Sequence, residues 1–261
     1  MKKASLIRAT VTRLMAVILI GSLALPGLSA QDLLAGTIVY QRTTTYTFDP
    51  TGNDEWDAYA KTLPTEGEFE NVLYFTAEAS LYDESTIEKE AISDTQQMAM
   101  FMASYGKPPK PSLKQIFIDF NTESRTALLE FMTREFLVES TLENRGWKLD
   151  PSRKKIGEYV CMKATMKMEG DTVTAWFAPE LPVPAGPAEY YGLPGIVLAV
   201  ERLGETILMA TSIDLTPPLP DILVKPDAGK RTSPEAFERI VEEKVEEFKK
   251  NGPADMNYRH K

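Results

Sequence analysis

Over residues 37–48 apolar and polar positions alternate, with Ile38, Tyr40, Tyr46 and Phe48 on one side and Val39, Thr43, Thr45 and Thr47 on the other. A period of two among β-branched and aromatic residues predicts a half-buried strand. Residues 72–82 read as a second strand, with Leu73, Phe75, Ala77, Ala79 and Leu81 sharing a face. Shorter runs of the same kind occupy residues 116–120, 126–132, 136–141, 159–168, 172–177, 196–201 and 206–215, and another starts at Trp147. Turn-forming clusters separate them: residues 121–124, Thr133-Arg134-Glu135, Glu169-Gly170-Asp171 and Leu203-Gly204-Glu205. Consecutive hairpins at this spacing predict an antiparallel meander with one face on a core.

Three stretches depart from that period. After the turn cluster at residues 49–54, residues 55–63 predict a short helix. Residues 84–114 keep no firm period: a charged opening leads to Met98, Met100, Phe101 and Met102, then to Pro108, Pro109 and Pro111. This reads as a long, mobile excursion from the sheet. Beyond Pro217, Pro218 and Pro220 the spacing becomes helical. Ser233 supplies an N-cap, Pro234 and Glu235 suit the first turn, and Phe237, Ile240, Val241, Val245 and Phe248 form one stripe. That amphipathic helix, residues 233–250, is expected to pack on the sheet. The expected fold is a single α+β domain over residues 31–261, mostly antiparallel β.

Residues 1–30 read as a signal peptide rather than as part of the fold. Lys2, Lys3, Arg8 and Arg13 precede an apolar run from Leu14 to Leu25, too short for a membrane span, and cleavage is expected near Ala30. The mature protein is then periplasmic or secreted. The net charge of −9, more negative once the leader's cations are gone, argues against nucleic acid and anionic lipid as partners. The single cysteine, Cys161, cannot form an internal disulfide.

The most distinctive order of residues runs from Ala175-Trp176-Phe177-Ala178-Pro179 through Pro182, Gly186 and Pro187 to Tyr190-Tyr191-Gly192-Leu193-Pro194-Gly195-Ile196. Leu193-Pro194-Gly195-Ile196 predicts a type II turn feeding a strand. Upstream, Tyr159-Val160-Cys161-Met162-Lys163-Ala164 forms a second landmark. Together these resemble the GLPGLI family of exported Bacteroidetes proteins, densest over residues 147–201. The resemblance implies export and a structural motif made of Cys161, Lys163, Trp176, Pro179, Pro182, Gly186, Pro187, Gly192, Leu193, Pro194 and Gly195.

Catalytic chemistry is poorly provided for. The only histidine is His260, so no Ser-His-Asp or Cys-His pair is available in the body of the fold. No phosphate loop, dinucleotide fingerprint or cofactor signature is present. Glu180, Glu189 and Glu201 flank the signature as candidate acids. Asp49, Asn53, Asp54, Glu55 and Asp57 form an oxygen-rich loop, which reads as a solvated turn before a calcium site. Met98, Met100 and Met102, with Met162, Met166 and Met168, offer thioethers that suit Cu(I) or an adaptable apolar surface. The leading expectation is a non-enzymatic binding or carrier module. Its apolar ligand would meet Met98, Met100, Phe101, Met102, Trp176, Tyr190 and Tyr191. The alternatives are an interaction or assembly factor for an outer-membrane protein and a Cu(I)-handling protein.

Overall fold

The computed structural model of the protein describes residues 34–84, 93–168, 170–203 and 205–251. The leader over residues 1–30, residues 85–92 of the excursion, Glu169, Gly204 and His260 lie outside the described residues. In chain order the elements are β1 (Gly36–Thr45), α1 (Asp54–Ala60), β2 (Glu66–Phe75), β3 (Ala79–Asp83), α2 (Asp94–Ser104), β4 (Ser112–Asp119), β5 (Ser124–Phe131) and β6 (Arg134–Thr141). They continue with β7 (Lys148–Ile156), β8 (Tyr159–Met168), β9 (Asp171–Ala178), β10 (Ile196–Arg202), β11 (Glu205–Asp214), β12 (Lys230–Thr232) and α3 (Pro234–Asn251).

All twelve strands join one sheet in the order β12-β6-β5-β4-β3-β2-β1-β11-β10-β9-β8-β7. Two antiparallel meanders therefore meet at β1, which pairs with β2 on one side and β11 on the other. Only β12, a short strand not expected from the sequence, pairs in parallel, on β6. The sheet cannot be flat. β6 and β7 stand ten places apart in the strand order, about 48 Å at ordinary strand spacing. Residues 142–147 connect them, and that length of chain reaches about 25 Å at most. The two ends must therefore be drawn together, and the sheet curls into a trough.

Both walls of the trough share one core. Ile38, Tyr40, Leu73 and Phe75 from the first meander are buried with Ala164, Val173, Phe177 and Val197 from the second. The Tyr40 hydroxyl donates to the Val197 carbonyl at 2.7 Å, tying β1 to β10. Residues Ile196 to Val200 of β10 are all fully buried, which accounts for their unbroken apolar run.

Residues 72–82, expected as one strand, are two. Thr76 turns the chain: its hydroxyl accepts from the amides of Glu78 and Ala79 at 3.2 and 3.1 Å, and its own amide donates to the Ala79 carbonyl at 2.8 Å. A threonine closes this turn without glycine or proline, so the alternation passes through it unmarked. The excursion also differs from expectation, because its described part is ordered. Ser93 caps α2, and β4 begins at Ser112. α2 buries Ala99 and Met102 against Tyr46, Ala60 and Leu63, forming a small second core over the connection between β1 and β2.

Phe237 of α3 lies 6.4 Å from the Phe131 ring and 5.1 Å from the Phe136 ring, beside Val138. The helix docks through its first two turns, with Ile240 and Val241 completing the contact. The β5–β6 turn falls at Met132-Thr133, both left-handed with φ of 51° and 63°, rather than at Thr133-Arg134-Glu135. Two left-handed residues match the twist of a tight hairpin, but a β-branched side chain there is strained by about 1 kcal/mol. Thr133→Gly is expected to stabilise the protein by about that much. A urea midpoint equal to or below the wild type would contradict it.

Candidate functional site

The signature segment occupies the inside of the trough. Residues 179–195 leave β9 and return to β10 with Leu181, Val183, Ala185, Tyr190 and Leu193 packed in the main core. Pro179, Pro182, Gly192 and Pro194 reach the surface, while Gly186, Pro187 and Gly195 are buried. A buried loop must satisfy its own backbone. Here Leu181 N–H donates to the Ala178 carbonyl at 3.1 Å, Gly192 N–H to Pro184 at 2.9 Å and Val197 N–H to Ala185 at 3.1 Å. The prolines remove donors that would otherwise need partners.

The expected type II turn is not formed. Gly195 N–H donates to the Leu193 carbonyl at 2.8 Å, a three-residue turn around Pro194, and Ile196 N–H goes instead to the Leu181 carbonyl at 3.0 Å. Gly195 has φ +155°, and a β-carbon on it would collide with the Ala178 carbonyl. Glycine is required by close approach of two backbones rather than by the turn first expected.

Cys161 is fully buried. Burial pushes its thiol up to about 11, with Glu180 adding to the rise and Lys154 opposing it. It is a protonated packing residue, poorly suited to nucleophilic attack. Lys163 and Trp176 are cross-strand partners on β8 and β9. Trp176 alternates with the buried Ala175 and Phe177, so it faces the opposite side of the sheet. Its indole N–H donates to Glu201 Oε1 at 2.9 Å, while Lys154 pairs with the same oxygen at 3.0 Å and lies 5.4 Å from the ring centre. Trp176 packs against the main core, which holds Tyr190, whereas Tyr191 belongs to a separate cluster, so the three do not line one groove.

Tyr191 packs with Ile116, Ile118 and Ala127, and its carbonyl accepts from the Trp147 indole at 2.8 Å. The Arg145 guanidinium lies 5.1 Å from its ring centre. Beside it, Glu189 takes Arg125 on one carboxylate oxygen and Arg145, at 3.7 Å, on the other. β5, the β6–β7 link and the signature segment thus meet at one ion-paired tie. Sequence analysis missed both arginines, because Arg125 and Glu189 stand 64 residues apart with no local pattern to mark them. Of the three candidate acids, Glu189 and Glu201 are committed to different cations and Glu180 is exposed. They do not converge.

On α2 the methionines divide. Met102 is buried and Met98 packs beside it, while Met100 and Phe101 are exposed. Met98 and Met102 share a face one turn apart, and Met100 points away from it. Met162, Met166 and Met168 pack in or against the main core. The acidic turn is used locally: Asn53 caps α1, Asp57 accepts from Thr51, and Asp49 pairs with Lys107 at 3.3 Å. Among the described residues no three His, Cys, Asp or Glu side chains gather as a metal site would require. No described helix is long and apolar enough to cross a membrane. Between the α1–β2 connection and the first turn of α2 lies an open hollow of about 640 Å³, lined by Thr62, Glu66, Glu68, Ser93, Thr95 and Gln96, among others.

Comparison with known proteins places this fold. Residues 112–232 match the family model of the N-glycanase peptide N-terminal domain, of PNGase F-II type. That span includes both landmarks of the signature. Two solved structures of PNGF-II, in space groups P21 and C2, resemble the chain with TM-scores of 0.52 and 0.53 at 14% identity. Each covers 80% of this chain, which in turn spans about a third of theirs, 33% and 32%. No curated protein sequence matches the chain. At this identity the likeness establishes the fold.

Proposed function

We propose that the protein is an exported, non-enzymatic binding module that meets its ligand beside α1 and α2. One observation carries the placement. Residues 179–195 pack Leu181, Val183, Ala185, Tyr190 and Leu193 into the core of the trough, taking room that a ligand between the walls would need. The hollow beside α2 is an open recess next to a side-chain cluster of its own. The likeness to an N-terminal domain of an N-glycanase supports a module that works alongside other parts of a longer chain. The GLPGLI resemblance and the leader support export.

The other readings gain less. An apolar ligand would have to compete with packing that already uses Met102, Tyr190 and Tyr191. Copper binding asks for converging thioethers, and Met100 diverges from Met98 and Met102. Strand addition at the β7 edge is opposed by Lys148, Arg153, Lys154, Lys155 and Pro151 and by a register break between Asp150 and Arg153.

Excising α2 is a poor test, because Ala99 and Met102 hold a core. Thr95→Arg, an exposed change at the hollow, is better. Native mass spectrometry of protein taken from the exporting cell's envelope should show Gln31 as first residue and a non-covalent adduct that Thr95→Arg removes without moving the melting midpoint. Identical adducts on both proteins, a bare wild-type protein, or an intact Met1 species in the membrane fraction would overturn the proposal.

A further inference from the structure

We infer that the hollow between the α1–β2 connection and α2 binds a neutral, polyhydroxylated ligand, a sugar unit of an oligosaccharide. This rests on the binding-module reading and names its ligand. The hollow is open, with a volume of about 640 Å³, room for one or two sugar rings lying partly in solvent. The walls carry the hydroxyls of Thr62, Ser93 and Thr95, the amide of Gln96 and the carboxylates of Glu66 and Glu68. Such a set gives and accepts hydrogen bonds from neighbouring hydroxyl groups. Among the described residues no lysine or arginine lines the hollow. The two carboxylates repel an anion that the α2 N-terminus alone would attract. Leu63 and Pro64 supply too little apolar wall for an acyl chain.

A second observation points the same way. Tyr46 is only 6% exposed, and its buried hydroxyl has no partner. That hydroxyl ends against Gly67, where a β-carbon would collide with it, and Gln96 Nε2 lies 3.0 Å from the same point. Gly67 and Gln96 both line the hollow. An orphaned buried hydroxyl is unfavourable. The Gln96 amide can serve it and a ligand together, since it carries both donors and an acceptor.

The helix that leads into the wall adds the third. Trp56 and Tyr59 of α1 are 47% and 41% exposed, with ring centres 6.2 Å apart. Thr62, on the wall, is bonded to the Tyr59 carbonyl through its amide at 2.9 Å and its hydroxyl at 2.7 Å. These bonds tie the wall residue Thr62 to the last turn of the helix that carries the pair. Flat apolar rings beside converging hydrogen-bonding groups suit the mixed faces of a pyranose.

Calorimetric titration with chitotriose, mannotriose and cellotriose tests the inference, with oleate and calcium chloride as controls. Saturable binding of at least one trisaccharide is expected, weakened about tenfold or more by Thr95→Arg and by Trp56→Ala at unchanged melting midpoints. Two exposed positions are used so that misfolding of one variant does not decide the result. Trisaccharide binding that survives both changes overturns the inference, as does no binding of any of the three at about 10 mM. Oleate or calcium binding lost in Thr95→Arg, or an envelope adduct lost in that variant that is not carbohydrate, overturns the sugar assignment while leaving the binding-module reading intact.

Discussion

Gly195→Ala should destabilise the protein by about 3 kcal/mol or more, and Gly195→Val by more again. Two costs coincide at this position. The backbone has φ +155°, outside the region that side chains favour, and the added carbon would stand 2.7 Å from the Ala178 carbonyl carbon and 3.1 Å from the Pro179 α-carbon. Neither neighbour yields easily. The Ala178 carbonyl already accepts from Leu181 N–H, and Ala178 pairs with Ile196 across β9 and β10. Backbone strain and overpacking each cost about 1–3 kcal/mol, so their sum sets the expectation. Gly146→Ala is the control. Gly146 is also left-handed, φ +66°, but a β-carbon there meets nothing within 4 Å. It should cost only the left-handed penalty, about 1–2 kcal/mol. Equal urea midpoints for the two variants would show that the close approach at Gly195 is not what demands glycine.

The signature shows where sequence reading succeeds and where it stops. Its prolines, glycines and aromatics mark it as special, but Gly195 sits against the Ala178 carbonyl rather than in the turn expected of it. What they do not reveal is that the segment lies inside the trough, because that depends on β1 pairing with both β2 and β11, contacts far apart in the chain. The strands β8 to β11 are legible because short apolar and β-branched runs are set off by glycines or charged residues, alternating in β9 and unbroken in β10. Thr76 escapes notice because a hydroxyl closes its turn. α2 escapes because its buried stripe is narrow, Ala99 and Met102 with Met98 and Ala103 alongside, while Met98, Met100 and Met102 mimic a strand's alternation. The C-terminal helix is legible for the opposite reason: Phe237, Ile240, Val241, Val245 and Phe248 repeat over about three turns, and its cap is explicit. The hollow belongs to no local pattern. Its lining comes from β2, α2 and the connection after α1, and only folding brings them together.

Glu189→Ala should cost about 2 kcal/mol and loosen the signature segment before the rest of the fold. Arg125 and Arg145 keep only 14% and 16% of their side-chain surface exposed, and Glu189 keeps 33%. Removing the carboxylate leaves two half-sequestered guanidiniums facing one another without their shared anion. In a fully buried pair that loss runs to about 3–5 kcal/mol, and the solvent that reaches Glu189 lowers it here. The Nε atoms of both arginines are buried and lack partners, so neither side chain has a second anchor through that nitrogen. Ala188, just before the glutamate, holds a left-handed backbone at φ +49°. That conformation is maintained by what surrounds it, and with the tie gone it should relax. Hydrogen exchange should therefore quicken at the Tyr190 and Gly192 amides, which donate to Pro187 and Pro184, more than at the β1–β2 pair. A cycle of Glu189→Ala, Arg125→Met and the double variant should give a coupling energy of about 1–2 kcal/mol, with little loss at high salt because the pair is partly sheltered. A coupling below about 0.5 kcal/mol, together with unchanged exchange at Tyr190 and Gly192, would show that packing alone holds the segment in the trough.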